Sequence, residues 1–174
     1  MEERVILVNG QDVQIGTEEK MKAHELGLLH RAFSIFIFNS AGEMLLHERA
    51  KTKYHSGGLW TNACCSHPRE NESIEAAAHR RLQEEFGFDC PLKELFSFTY
   101  KAELDKGLTE HEFDHVLIGT YDGPIEKPNP AEIDNWCFIK IKDLIDELKD
   151  RPELFTAWFK IAVDEVLKKD AFLP

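Results

Sequence analysis

The chain has 174 residues, of which 43% are apolar, and this is enough for one well-buried core. The formal net charge of −11 would repel a polyphosphate backbone and argues against general nucleic-acid binding. No apolar run approaches the roughly 20 residues of a membrane span, and no secretory leader precedes the four cysteines. We therefore expect a single domain over residues 1–174 that is monomeric and cytoplasmic, with reduced thiols.

Short strands dominate the first part of the chain. Residues 5–8 and 13–15 flank Asn9-Gly10, a dipeptide suited to positive φ in a turn, so they predict an antiparallel hairpin. Residues 32–39 are rich in Phe and Ile on both alternating faces and predict a central strand. The remaining elements predicted here are a short helix or loop over 18–29, a strand over 43–48 after a turn at 40–42, and a polar loop over 51–58.

The clearest helix covers residues 73–86. Ser73 is a suitable N-cap, Glu75 lies in the first turn, and Gly87 follows the last turn. One face of this helix is apolar at helical spacing: Ile74, Ala77, Ala78, Leu82 and Phe86. The elements predicted after it are strands over 95–101, 112–121 and 136–141, a proline-containing loop over 122–130, and helices over 143–148 and 153–168.

A charged motif runs into this helix: Ser66-x5-Glu72-x7-Arg80-Arg81-Leu82-x-Glu84-Glu85-x-Gly87-Phe88. It resembles the Nudix box, a pattern found in enzymes that handle diphosphates through divalent metals. Glu84 and Glu85 lie near the helix C-terminus, where the dipole does not favour acidic groups, so a hard cation explains them better. The alternative is a solvated surface with two i,i+4 Arg–Glu pairs, each worth only about 0.2–0.5 kcal/mol.

Two positions depart from the box. Ser66 replaces its opening glycine, and Arg81 replaces the glutamate that should follow the central arginine. A hydrolase would lose a metal-binding carboxylate at Arg81, whereas a guanidinium suits the holding of a substrate diphosphate. The motif therefore argues against hydrolysis.

A second set of potential ligands is scattered over the chain. Glu110 and Glu112 would point to the same face of a strand, with His111 facing the other way. Together with His24, His30 and His67 they would suit one Zn²⁺, Mn²⁺ or Mg²⁺ ion, but spacing alone does not bring these residues together. The other histidines are interpreted as structural or exposed: His47, His55, His79, His111 and His115.

Four segments together resemble the type I isopentenyl-diphosphate isomerases, a family with the Nudix fold. They are residues 28–34 (LLHRAFS), residues 60–68 (WTNACCSHP), the altered box, and Glu110-His111-Glu112. The resemblance runs from about Lys20 to Trp158. It implies an α+β fold of the α/β/α sandwich type, in which helices flank a mixed β-sheet. It also implies an activity that interconverts isopentenyl and dimethylallyl diphosphate, by adding one proton and removing another through a carbocation-like species.

The resemblance assigns roles to individual residues. Cys65 and Glu112 would transfer the protons, with Tyr100 as a relay, and the Trp158 indole would stabilise positive charge by up to about 2 kcal/mol. The diphosphate would be bound by Lys20, Arg49, Lys53 and Arg81. Glu85 would hold a Mg²⁺ ion that bridges to the diphosphate. The second cation, which could be Zn²⁺, Mn²⁺ or Mg²⁺, would be held by His24, His30, His67, Glu110 and Glu112.

Several alternatives stay open at the level of sequence. Cys64 lies beside Cys65, but the register relative to His67 favours Cys65, which leaves Cys64 as a small buried packing residue. Trp158 could also be an ordinary core residue of an aromatic-rich helix. The protein could also be a Nudix hydrolase of a diphosphate substrate, or a non-catalytic metal-binding scaffold.

Overall fold

A computed structural model describes residues 3–169 of the chain. Within these residues one mixed sheet is flanked by helices, and short 3₁₀ turns lie at Asp105–Gly107 and Pro152–Leu154. The elements are β1 (Arg4–Val8), β2 (Gln14–Glu19), α1 (Lys20–Leu26), β3 (His30–Phe38), β4 (Met44–Arg49), β5 (Trp60–Thr61), β6 (Cys64–Ser66), α2 (Ile74–Phe86), β7 (Leu92–Glu103), β8 (Thr109–Thr120), β9 (Ile133–Ile139), α3 (Ile141–Asp150) and α4 (Ala157–Lys168).

Strand β3 is the centre of the sheet. It runs parallel to β8 from the His30–Glu112 pair onward, and antiparallel to β1, β4 and β6. Strand β7 pairs with β8 so that Tyr100 lies opposite Glu112, and β6 pairs with β3 so that Cys65 lies opposite Ser34. The register of three strand pairs therefore brings distant parts of the sequence to one end of the sheet.

Both faces of β3 are buried, as the sequence predicts for a central strand. Phe33 and Ile35 pack into a core with α2, whereas Phe36 and Phe38 pack into a second core with α4. Successive side chains of a strand point to opposite faces, so one strand supplies both cores. The predicted α+β fold, with a mixed sheet between helical layers, is confirmed.

The helix predicted over 73–86 is confirmed together with its caps. The Ser73 hydroxyl accepts a hydrogen bond from the Ala76 amide at 3.2 Å, and Gly87 ends the helix with a φ of 75°. Helix α4 begins at Ala157 rather than at 153, because the residues after Pro152 form a 3₁₀ turn instead. Strands β5 and β6 were not predicted, since strands of two and three residues carry no periodicity.

The first hairpin is confirmed, but its turn differs from the prediction. Asp12 takes the left-handed conformation, with a φ of 58°, rather than Asn9 or Gly10. The Asn9 side chain instead accepts hydrogen bonds from the amides of Gln11 and Val13, at 2.9 and 3.0 Å. This side-chain turn lengthens the connection between β1 and β2.

No helix among residues 3–169 is long and apolar enough to cross a membrane.

Candidate active site and metal centre

Most of the predicted site residues line one cavity. Its empty volume, measured out to the opening, is about 540 Å³. It lies where the registers of β3, β6, β7 and β8 bring their polar residues together. His24 and His30 are the predicted ligands that do not line it, because both are fully buried behind the wall. The predicted residues that line the cavity are Lys20, Arg49, Lys53, Cys65, His67, Arg81, Glu85, Tyr100, Glu110, Glu112 and Trp158.

The predicted imidazole and carboxylate ligands converge at one end of this cavity. His67 Nε2 lies 3.2 Å from His30 Nε2 and 3.0 Å from Glu112 Oε1. His24 Nε2 lies 3.3 Å from Glu110 Oε2. The ligand atoms of His24, His30, His67 and Glu112 all lie within 4.8 Å of one another, which is the spacing of donors around one ion.

Backbone carbonyls orient two of these imidazoles. His24 Nδ1 donates to the Lys20 carbonyl at 2.7 Å, and His30 Nδ1 donates to the Leu28 carbonyl at 2.8 Å. Because a carbonyl can only accept, each neutral ring carries its proton on Nδ1 and presents the lone pair of Nε2 to the cluster. Burial, with the nearby His30 ring, lowers the pKa of His67 well below its ordinary value, which favours the neutral imidazole of a metal ligand.

Unpaired buried atoms show that a cation fits the cluster. His24 Nε2 and Glu110 Oε2 face each other across 3.3 Å, yet neither makes a hydrogen bond with any described residue. Two buried acceptors so placed are costly unless something positive lies between them. Nitrogen and oxygen donors of this kind suit Zn²⁺ or Mn²⁺, and they also accept Mg²⁺.

A hydrogen bond connects Glu112 of the cluster to Tyr100. The Tyr100 hydroxyl donates to Glu112 Oε2 at 2.7 Å, and both side chains are buried. Burial and the Glu112 carboxylate raise the pKa of Tyr100 well above its usual value, so the phenol keeps its proton. Glu112 thus contacts His67 through one oxygen and a proton donor through the other.

Cys65 presents its thiol to the same cavity. Its Sγ donates to Asn62 Oδ1 at 3.1 Å and lies 3.4 Å from the Ser34 hydroxyl, which itself donates to Asp114 Oδ2 at 2.8 Å. Burial raises the pKa of Cys65, and the carboxylate of Asp114 raises it further, so the sulfur stays protonated at neutral pH. Sequence reasoning missed Ser34, Asn62 and Asp114, although Asp114 continues the Glu110-x-Glu112 alternation along the strand.

Strand alternation separates the adjacent cysteines. Cys64 belongs to the core beneath α2, where its thiol donates to Glu85 Oε1 at 3.2 Å, whereas Cys65 packs on the face that carries Trp158. Cys64 is fully buried, as predicted for a packing residue. The two thiols therefore serve different sides of the sheet.

Arg81 forms ion pairs with the carboxylates of the altered box. Its guanidinium donates to Glu85 Oε1 at 2.6 Å and to Glu84 Oε2 at 2.8 Å, and it lies 3.4 Å from Glu132. Lys53 forms an ion pair with Glu132 as well. No motif marks Glu132; it reaches the cavity because its backbone carbonyl accepts a hydrogen bond from the Ala50 amide at 2.9 Å.

Two further basic side chains of the cavity, Arg49 and Lys20, lie against aromatic rings. The Arg49 guanidinium lies 5.0 Å from the centre of the Trp158 ring, and the indole is only 4% exposed. Lys20 lies 5.0 Å from the Tyr54 ring and pairs with Glu3 at 3.0 Å. The cavity thus brings four basic side chains together with four carboxylates, although the chain is acidic overall.

Two histidines expected to be structural or exposed also line the cavity. His47 and His55 are each 2% exposed, and burial lowers the pKa of each to about 3. His55 lies beside the cation cluster, with its Nε2 3.5 Å from Glu110 Oε1. The other three histidines make contacts outside the cavity: His79 with Asp89, His111 with the Gly27 carbonyl, and His115 with Asp12 and Glu94.

Comparison with known proteins agrees with this geometry. The family model described as NUDIX domain matches residues 28–159. The chain is 53% identical over 161 residues to an isopentenyl-diphosphate Delta-isomerase of Serratia proteamaculans, covering 91% of this chain and 88% of that protein. It is 49% identical over 168 residues to isopentenyl-diphosphate Delta-isomerase 2 of Aromatoleum aromaticum, covering 96% of this chain and 88% of that protein.

Solved structures show the same fold at low sequence identity. DR0079 from Deinococcus radiodurans superposes with a TM-score of 0.77 at 19% identity, covering 94% of this chain and 98% of that one. The MutT protein of Methanosarcina mazei gives a TM-score of 0.66 at 16% identity, over 82% of this chain and 96% of that one. The cavity, the family model and the high identity over nearly the full length agree: the chain belongs to the NUDIX domain family and, within it, to the isopentenyl-diphosphate Delta-isomerases.

Proposed function

We propose that this protein interconverts isopentenyl diphosphate and dimethylallyl diphosphate by moving a proton across a three-carbon allylic unit. The observation that carries the proposal is the shared cavity of Cys65 and Glu112. The two groups come from β6 and β8, which both pair with β3. Protonation of the terminal methylene gives a tertiary carbocation-like species, and loss of a proton from the neighbouring methylene gives the allylic product.

The surroundings of Cys65 and Glu112 set the protonation state of each group. The Cys65 thiol is held neutral by burial, while the Glu112 carboxylate accepts a hydrogen bond from the Tyr100 hydroxyl at 2.7 Å. Since the reaction is reversible, one group gives a proton while the other takes one, and the roles exchange in the reverse direction. Tyr100 relays the proton and stabilises the Glu112 carboxylate.

A divalent cation would be held by His24, His30, His67, Glu110 and Glu112. When bound, it supplies a fixed positive charge that makes the Glu112 carboxyl a stronger acid. The chain itself orients these ligands through the carbonyls of Lys20 and Leu28 and keeps water out of the buried side of the cluster. We propose Mg²⁺ as a second ion, held by Glu85 and bridging to the diphosphate.

The basic side chains of the cavity would bind the diphosphate of the substrate. Lys20, Arg49, Lys53 and Arg81 all line the cavity, and their charges offset the acidity of the chain there. Trp158 would then face the hydrocarbon part, where its π-face stabilises the carbocation and has no lone pair that captures it.

Hydrolysis of a diphosphate is the second candidate, and one observation disfavours it. Arg81 stands where the Nudix box has a glutamate, and it donates to both Glu84 and Glu85. The box therefore lacks one of the carboxylates that a hydrolase needs for metal and water activation. The site is therefore better suited to holding a diphosphate than to cleaving it.

Deuterium incorporation tests the proposal. The purified protein is incubated with isopentenyl diphosphate and Mg²⁺ in deuterated water, and we expect an acid-labile allylic product that carries deuterium. A hydrolase would release phosphate instead and would keep its activity in Cys65→Ser. A non-catalytic scaffold would bind metal but give neither product nor isotope uptake. The absence of isotope uptake with folded, metal-loaded protein would refute the isomerase. A single domain, a monomeric state and a cytoplasmic location stay predictions.

A further inference from the structure

His55 lies next to the cation cluster, although it belongs to neither the Nudix motif nor the segments that resemble the isomerases. It sits in the loop between β4 and β5 and is 2% exposed. Its Nε2 lies 3.5 Å from Glu110 Oε1, while the other oxygen of Glu110 faces His24. The donor atoms of His24, His55 and Glu110 all lie within 4.8 Å of one another.

We propose that His55 is a further ligand of the cation held by the His/Glu cluster. His55 meets the cluster through His24 and Glu110, with which it forms a second group of donor atoms beside that of His24, His30, His67 and Glu112. This inference rests on the metal site of the proposed function and extends it to a residue on a different loop.

The packing of the ring aims one nitrogen at the cluster. His55 Nδ1 lies 3.2 Å from the Ser56 hydroxyl, which leaves Nε2 as the nitrogen on the side of Glu110. Tyr54 and Trp158 meet the ring edge-on, with centroids at 4.3 and 5.6 Å. Aromatic neighbours on two sides hold the imidazole in one orientation, as a ligand requires.

Unsatisfied atoms supply the second reason. His24 Nε2 and Glu110 Oε2, both in the group that contains His55, are buried and make no hydrogen bond with any residue in the described part of the chain. One ion among the three side chains would satisfy both atoms at once.

The proposed ligand couples the cation to the diphosphate side of the cavity. The loop that carries His55 also carries Lys53, and the His55 carbonyl accepts a hydrogen bond from Arg49 at 3.3 Å. A cation that anchors His55 therefore restrains both of these phosphate-binding side chains. Coupling of this kind is reciprocal, so substrate diphosphate should also tighten cation binding. A further nitrogen donor also shifts the metal preference of the site away from Mg²⁺ and toward Zn²⁺ or Mn²⁺.

The test measures the metal site directly in the full-length chain. His55→Phe keeps an aromatic ring against Tyr54 and Trp158 but removes the donor nitrogen, and His79→Phe on α2 is the matched control. We expect Mn²⁺ affinity, measured by calorimetry, to fall by about tenfold or more in His55→Phe and to be unchanged in His79→Phe.

Imidazole ¹⁵N spectra of the wild-type protein give a readout that does not depend on the variant's folding. Addition of Zn²⁺ should shift the His55 Nε2 resonance together with those of His24, His30 and His67. A His55 resonance that does not move, with the other three shifted, would overturn the inference even if His55→Phe bound metal weakly. Wild-type protein that binds no cation at all would instead remove the metal site of the proposed function.

Discussion

Replacement of Tyr100 by phenylalanine removes one hydroxyl and little else. The hydroxyl donates to the buried Glu112 Oε2 at 2.7 Å, whereas the ring stacks on Phe98 with centroids 5.6 Å apart and would keep that contact. A hydrogen bond to a charged group contributes about 1.5–3 kcal/mol. In the half of the reaction in which Glu112 gives up its proton, this bond stabilises the carboxylate that forms. We therefore expect kcat to fall roughly 10- to 150-fold.

The same substitution should also move the pH dependence in a defined direction. Burial raises the pKa of Glu112, but hydrogen bonds from its neighbours, Tyr100 among them, lower it by more. Loss of one donor to the carboxylate raises that pKa, so the limb of the pH–rate profile that reports Glu112 should shift to higher pH. KM should change little, because the hydroxyl contacts the carboxylate and none of the basic side chains.

The assay is allylic product formation from isopentenyl diphosphate as a function of substrate concentration and pH. Tyr121→Phe is the matched control, since the Tyr121 hydroxyl donates to the Pro124 carbonyl at 2.9 Å and Tyr121 does not line the cavity. Its kcat should equal that of the wild type. If Tyr100→Phe kept both the wild-type kcat and the wild-type pH profile, the assignment of Tyr100 as a relay to Glu112 would be wrong.

Three further substitutions test other parts of the site and fold. Cys65→Ser should keep the fold and the metal content by elemental analysis but lose turnover, since a hydroxyl is a far weaker acid than a thiol; turnover in this variant would exclude the thiol. Trp158→Phe should lower kcat by up to about 30-fold, the equivalent of about 2 kcal/mol of cation–π stabilisation, and an unchanged kcat would leave the indole a packing role. Hydrogen bonds from Arg80, two of them at 2.7 Å, lower the pKa of Glu72, so Glu72→Gln should cost about 1 kcal/mol in urea unfolding at pH 7. That difference should shrink as the pH falls from about 4.3, where the carboxyl of the unfolded chain takes up its proton, through the lower pKa of the folded protein; an equal loss at pH 7 and pH 3 would contradict the ion pair.

Local chemistry explains which elements were predictable. Helix α2 carries its own signals, since Ser73 caps one end, Gly87 ends the other, and an apolar stripe lies between them. The turn after β1 was predicted wrongly at Asn9-Gly10, because the Asn9 side chain satisfies backbone amides and moves the left-handed residue to Asp12. The two short strands β5 and β6 depend on pairing with β4 and β3, so their own residues show no pattern.

The sequence by itself determined the kinds of group that the site contains: a thiol, imidazoles, carboxylates, and an arginine in place of a glutamate in the Nudix motif. These depend on residue type and short spacing, which are visible in the chain. Only the tertiary structure decided which groups meet. The parallel register of β3 with β8 places His30 beside Glu112, the pairing of β6 with β3 turns Cys65 rather than Cys64 toward the cavity, and folding of the loops brings His55 and Glu132 to its edge. Those contacts arise from strand register and loop packing between residues far apart in sequence, and no local pattern encodes them.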